Sequence, residues 1–223
     1  MRRVFAVVML MTFATTIDAQ VRRRVPQVRE PAAWLSAGIG LFNGNDVSDG
    51  NTESTWDFGR ASNPQYRASL EKAVSRTASF GATASYVRLP FTYIGSGPTA
   101  SCSRCAAHMD VMAAAGSFHV GGGTGLHQVI EASAGALQYR NLRRDSDKSS
   151  LAPTSNIDPY FTFGYGFGYA FDPITQISVV QDFGLALHER NGLTSEQSNT
   201  LTQRTIRLNF RYGFGRRTCR NCR

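Results

Sequence analysis

No apolar run after Ala19 approaches the ~20 residues that a helical membrane span needs, because Gly, Ser, Thr or a charge interrupts each one. Charged side chains are also scarce, at 18% of 223 residues. That is thin cover for a soluble surface, which must mix both signs. Neither Cys-x-x-C pair is followed by His, since Ala106 and Arg223 stand there, and this excludes haem attachment. No Lys-Ser or Lys-Thr follows Gly121-Gly122-Gly123-Thr124-Gly125 and no helical period opens after it. The run therefore reads as a turn between strands, not a phosphate loop. His108, His119, His127 and His188 are scattered without metal-ligand spacing, and no His-x-Ser occurs. Neither a cofactor nor a metal is expected.

Hydrophobic residues make up 42% of the chain and aromatics 11%, alongside 21 glycines. Aromatics favour strands and glycine weakens helices, so this composition suits an all-β fold. The net charge of +8 is concentrated in two tails, Arg22 to Arg24 and then Arg216, Arg217, Arg220 and Arg223. No basic groove is implied, and nucleic acid is not an expected partner. Arg2 and Arg3 precede an uncharged apolar stretch from Val4 to Ala14, which is too short to span a bilayer. With a cleavage point after Ala19, residues 1–19 read as a signal peptide. Residues 20–32 are basic, hold two prolines and show no period, so they read as a linker in the periplasm.

Period-two segments begin at Ala33. The clearest runs from Phe161 to Phe171. Phe161, Phe163, Tyr165, Phe167, Tyr169 and Phe171 share one parity, while Thr162, Gly164, Gly166, Gly168 and Ala170 share the other. A strand puts these two sets on opposite faces. At the end of the chain, Ile206, Leu208, Phe210, Tyr212 and Phe214 alternate with Arg207, Asn209, Arg211 and Gly213. Leu35 to Leu41 alternates with Ser36, Gly38 and Gly40, and Ala68 and Leu70 alternate with Arg67, Ser69 and Glu71. Ala78 to Tyr93 begins with Phe80, Ala82, Ala84 and Tyr86, then switches to Val87, Leu89 and Phe91, as a β-bulge would make it. Asp110 to Val120, Val129 to Tyr139 and Gln176 to His188 bring the set to about eight strands.

The connections alternate strictly between long and short. Long ones lie near Asn43–Pro64, Ile94–His108, Asn141–Asp158 and Arg190–Thr200; short ones lie near Val74–Thr77, Gly121–Gly125 and Asp172–Thr175. A barrel of this kind has long loops at one end and tight turns at the other, as barrels that cross the outer membrane do. A soluble barrel would turn a charged face outward. Here the face opposite the aromatics is Gly, Thr and Ala, which suits a narrow interior instead. The expected fold is one eight-stranded, antiparallel, up-and-down transmembrane barrel over residues 33–214, with a basic tail at 215–223. Phe161, Phe163, Tyr165, Phe167, Tyr169, Leu208 and Phe210 are expected to face lipid. Arg67, Glu71, Glu131, Asp182, Arg207 and Arg211 are expected inside, where both signs are needed for pairing.

From Ala33 to Phe214 the pattern resembles the small outer-membrane barrels, the family of OmpX and the membrane domain of OmpA. In that family the last strand ends in an aromatic that resembles the signal read by the barrel-assembly machinery. Phe214 matches it, although Gly215 to Arg223 follow here. The resemblance implies a monomer in the bacterial outer membrane, in contact with outer-membrane lipid, including lipopolysaccharide. Its function would be non-enzymatic, structural or surface-binding through the long loops. The alternatives are a narrow channel for small or hydrophobic solutes and a lipid-modifying enzyme. In such a barrel Cys102 and Cys105 lie in a long loop, whereas Cys219 and Cys222 follow the last strand. The two pairs are separated by an apolar band ~25 Å tall. One shared zinc site is thereby excluded, and an oxidising compartment favours two local disulfides, Cys102 with Cys105 and Cys219 with Cys222.

Overall fold

Ten strands alternate with turns, and no helix occurs among the described residues. The computed structural model describes residues 30–97, 100–152, 155–188 and 199–215. Eight strands close a barrel: β1 (Ala33–Gly44), β4 (Asn63–Ala73), β5 (Ala78–Gly95), β6 (Arg104–Val120), β7 (Gly125–Arg144), β8 (Ser155–Asp172), β9 (Thr175–Leu187) and β10 (Thr200–Phe214). Each pairs antiparallel with its neighbour, and β1 meets β10 from Ala33↔Phe214 to Gly44↔Gln203, which leaves no free edge along the barrel wall. The first long connection is not plain loop. It holds a small hairpin, β2 (Val47–Asp49) and β3 (Ser54–Asp57), whose β3 pairs with the far end of β5.

The tight turns follow from their residues. Between β6 and β7, Gly123 and Gly125 take φ of 115° and 73°, a region that costs little only for glycine. The Gly-rich run is thus a turn. Between β4 and β5, the Ser75 hydroxyl accepts the amide of Ala78 at 2.9 Å. Between β8 and β9, Asp172 accepts the amide of Ile174 at 2.7 Å.

The barrel has two storeys. Near the tight turns the outer face is apolar and the inner face is polar. Towards the long loops, β5 to β8 run on beyond the other strands and the arrangement inverts. There Val87, Leu89, Phe91, Tyr93, Met109, Leu137 and Tyr139 point inward and are buried, while Arg88 and Arg140 point outward. This corrects the bulge expected in Ala78–Tyr93. The register of β5 with β6 runs without a shift from Ala78↔Val120 to Ile94↔Arg104. What changes at Tyr86 and Val87 is the surroundings of the strand. Below that point the apolar parity faces outward; above it the apolar parity faces a water-excluding core. A one-residue irregularity does occur one strand away, between His108 and Asp110 of β6, opposite Asn141 of β7, whose φ is 55°.

Candidate functional site

The inner face of the first storey is crossed by ion pairs. Arg207 of β10 places Nη2 2.6 Å from Glu131 Oε2 and Nε 3.0 Å from Asp182 Oδ2. Arg67 of β4 reaches the same two acids, at 3.3 Å and 3.7 Å, and donates to Thr83 Oγ1 at 2.9 Å. His119 Nδ1 lies 3.1 Å from the other oxygen of Glu131. Nearer the tight turns, Arg211 Nη2 is 2.6 Å from Glu71 Oε2, and the Trp34 ring covers its guanidinium at 4.3 Å. Ser69 donates to Glu71 at 2.8 Å. All six of these charged side chains are shielded from solvent, and Arg207 is 1% exposed. Three arginines therefore meet three carboxylates, and the hydroxyls of Ser69, Ser79, Thr83 and Ser133 add hydrogen bonds, while Arg211 Nε has no partner among the described residues. Buried charge is tolerable only under such pairing.

Small residues make room for this network. A Cβ at Gly164 would collide with Asp182 Oδ1, and one at Gly38 would lie 3.2 Å from Arg207 Cδ. The Gly parity of β8 is thus the space into which the acid of β9 folds. Above the network lies a cavity of about 20 Å³ lined by Arg67, Ser133, Tyr160, Asp182 and Gln203. That is room for about one water molecule.

The second storey is capped by the β2–β3 hairpin. Trp56 is fully buried and packs against Tyr139 at 5.2 Å and His188 at 5.0 Å. Asn45 ties the root of the hairpin to β10: its amide nitrogen and side chain both reach Thr202 or Thr200 of that strand. His188, just past β9, has a side chain with no exposure. Its Nδ1 is 2.8 Å from Asp158 Oδ2 of β8, and its Nε2 is 3.8 Å from Asp49 Oδ2 of the hairpin. Burial alone would lower the His188 pKa, but Asp158 and then Asp49 outweigh it and push it up to about 9. His188 is therefore a cation that clasps the hairpin to the wall. Asp182, on the same parity of β9, pairs with Arg207, and the partner of His188 is Asp158.

The outer face of the first storey is mostly apolar, with Gln128 of β7 and Gln181 of β9 as polar exceptions. Phe161, Phe163, Tyr165, Phe167 and Tyr169 of β8 and Leu208 and Phe210 of β10 all stand on it, with Phe163 and Phe167 each 52% exposed. Leu35, Ile39 and Leu41 of β1 and Phe80 of β5 continue the belt. A belt this apolar is a poor surface for water and a good one for hydrocarbon.

No family model and no curated protein matches this chain. Its backbone is similar to the crystal structure of Neisserial surface protein A, with a TM-score of 0.52 at 11% identity over 82% of this chain and 97% of that one. The chain has the fold of the small outer-membrane barrels. Weaker likenesses, at TM-scores of 0.47 and 0.42, are to the outer membrane protein OprG from Pseudomonas aeruginosa and to Ail, the attachment invasion locus protein of Yersinia pestis. They are 10% identical each and cover 83% and 81% of this chain and 98% and 99% of those chains.

The barrel brings Arg67, Glu131, Asp182 and Arg207 into one cluster and Glu71 with Arg211 into a second. Cys102 and Cys105 are joined to each other at the tip between β5 and β6. Cys219 and Cys222 lie outside the described residues. Sequence reading missed His188, Asp158, Asp49 and Trp56 as a group. Their one available signal was the apolar spacing of Val47, Trp56 and Phe58 inside a stretch otherwise rich in Asn, Asp and Gly.

Proposed function

We propose that this chain is a sealed, non-enzymatic barrel of the bacterial outer membrane whose outward lobe is its working surface. Phe161, Phe163, Tyr165, Phe167, Tyr169, Leu208 and Phe210 lie against lipid in this reading. The tight turns face the periplasm and the second storey stands above the membrane. The fold shared with Neisserial surface protein A supports the location. The observation that carries the sealed reading is the filling of the interior. Ion pairs cross the first storey, Trp56, Tyr139 and their neighbours fill the second, and the cavity of about 20 Å³ lies between them. A path for solutes needs a continuous opening, and side chains fill the lumen of a barrel this narrow. His188 and Asp158, which could otherwise serve as an acid–base pair, are buried away from any substrate.

Reconstitution in planar bilayers tests this reading. The expected trace shows no steady conductance, and refolded protein releases no fatty acid from phospholipid and cleaves no peptide. A stable open level would favour the narrow-channel reading, and turnover of lipid or peptide would favour an enzyme; either would overturn the proposal.

A further inference from the structure

The disulfide at the tip between β5 and β6 is tied to the cap hairpin. Cys102 and Cys105 are half-buried and pack against the apolar core of the second storey. Within the loop that their bond closes, the Ser103 carbonyl accepts the Gly95 amide of β5 at 3.2 Å. Gly95 pairs with Ser54 of β3, and Ser54 pairs with Asp49 of β2. Asp49 in turn faces His188 at 3.8 Å. One row thus runs from the disulfide loop across the hairpin to the clasp. The fit at its start is close, since a Cβ at Gly95 would lie 2.6 Å from the Cys102 carbonyl oxygen. Beside this row the hairpin is strained. Glu53 holds a φ of 48°, a left-handed conformation that is costly without glycine. Its carbonyl accepts both the amide and the hydroxyl of Ser96, at 2.9 Å and 2.7 Å. Such strain persists only where the surroundings over-determine it. On the other flank of the loop, Arg144 Nη2 donates to the Ser101 carbonyl at 2.7 Å.

We propose that the Cys102–Cys105 bond is a latch on the β2–β3 cap, opened by exchange with small thiols. A bond that closes so short a loop, with a sequence separation of 3, adds little to global stability. Its effect is local: it holds Ser103 against Gly95, and through Gly95 and Ser96 it holds the strained tip of the hairpin. In the exchange, an incoming thiolate attacks one sulfur and the S–S bond breaks. The other sulfur leaves as a thiolate and takes up a proton. A second thiol then displaces the first as a disulfide, so the chain gains two electrons and two protons while two thiols become one disulfide. Arg104 stands between the two cysteines and Arg144 binds the residue before Cys102. Guanidinium groups beside a thiolate stabilise it, and a stabilised thiolate leaves faster. With the bond open, Ser103 is freed from Gly95, Glu53 relaxes, and the hairpin loosens from its tip towards Asp49. The outer-membrane reading enters only in the side from which the thiol arrives.

The test uses the full chain with Cys219→Ser and Cys222→Ser, refolded in detergent micelles, and dithiothreitol as the thiol. Hydrogen exchange read by mass spectrometry compares the oxidised barrel with the same barrel after reduction and alkylation. Reduction is expected to speed exchange over residues 47–57 on the order of tenfold, the change that the loss of about one hydrogen bond brings to local opening. Residues 206–212 of β10 should exchange as before. Adding Cys102→Ser and Cys105→Ser should give the fast rate with or without dithiothreitol. Reducing the chain after it has folded keeps the comparison valid if that variant fails to fold. Unchanged exchange over residues 47–57 in the reduced, folded barrel would overturn the latch. So would a bond that dithiothreitol opens only after urea has unfolded the barrel. Faster exchange over residues 206–212 as well would mean that the bond supports the whole barrel, and the latch would again be wrong. Micelles keep these results independent of the outer-membrane reading, which insertion into phosphatidylcholine vesicles tests separately.

Discussion

Arg207 and Glu131 meet across the lumen at 2.6 Å, although β10 and β7 are separated in the wall by β9 and β8. The pair is a strut between distant sides of the barrel. Replacing Arg207 with Leu leaves Arg67 as the one arginine for both Glu131 and Asp182, with His119 beside Glu131. The expected loss is about 3–5 kcal/mol, as for other buried pairs broken from one side. Urea titration of the barrel in vesicles, followed by tryptophan fluorescence, measures it. A loss under about 1 kcal/mol, the scale of exposed pairs, would mean that the strut is hydrated and weak.

His188 gives a pH dependence with a definite sign. Its folded pKa of about 9 lies above the unfolded value of 6.5, so the clasp contributes fully below pH 6.5 and is lost as pH rises through about 9. The shift corresponds to about 3 kcal/mol, taken as an order of magnitude. The difference in stability between wild type and His188→Gln should therefore be large at pH 6 and shrink by pH 10. Taking the difference cancels other groups that titrate in alkali. An unchanged difference would show that His188 acts through shape alone.

Phe167 stands on the apolar belt, 52% exposed. Phe167→Arg should cost about 2–4 kcal/mol if the site is near the membrane midplane. The same change at Thr202, beyond the belt edge, should cost far less. Equal costs at the two positions would argue against a depth-dependent lipid environment.

The Cys102–Cys105 bond closes a very short loop, with a sequence separation of 3. Loop-closure entropy grows with loop length, so reducing this bond should change barrel stability little. In intact cells, a membrane-impermeant thiol reagent applied after mild reduction should label Cys102 and Cys105. The proposed topology puts Cys219 and Cys222 on the periplasmic side, where they should be spared. Labelling of all four would place both ends of the barrel on one side.

The wall of the barrel was legible because its two faces differ in kind. Phe161 to Phe171 sets aromatics against Gly and Thr, and only a strand separates them. The polar faces of β4 and β10 likewise pointed to Arg67, Glu71, Arg207 and Arg211. Which of them would meet was not legible, because strand tilt decides who faces whom across a lumen. The second storey was harder still. Inversion of the pattern at Val87 resembles a bulge when membrane and water-excluding core are not distinguished. The hairpin strands β2 and β3, of 3 and 4 residues, are too short to show a period. Asp49 reaches His188 only after that hairpin folds back over the wall.

In the proposed barrel the aromatic face lies in lipid and the ion pairs lie inside. Spin labels at Phe163, Phe167 and Leu208 in reconstituted vesicles distinguish this from a water-facing wall. Strong collisions with oxygen and weak ones with a water-soluble nickel chelate are expected at all three, with the reverse at Thr202. Ready access of the nickel chelate to Phe163 and Phe167 would contradict it.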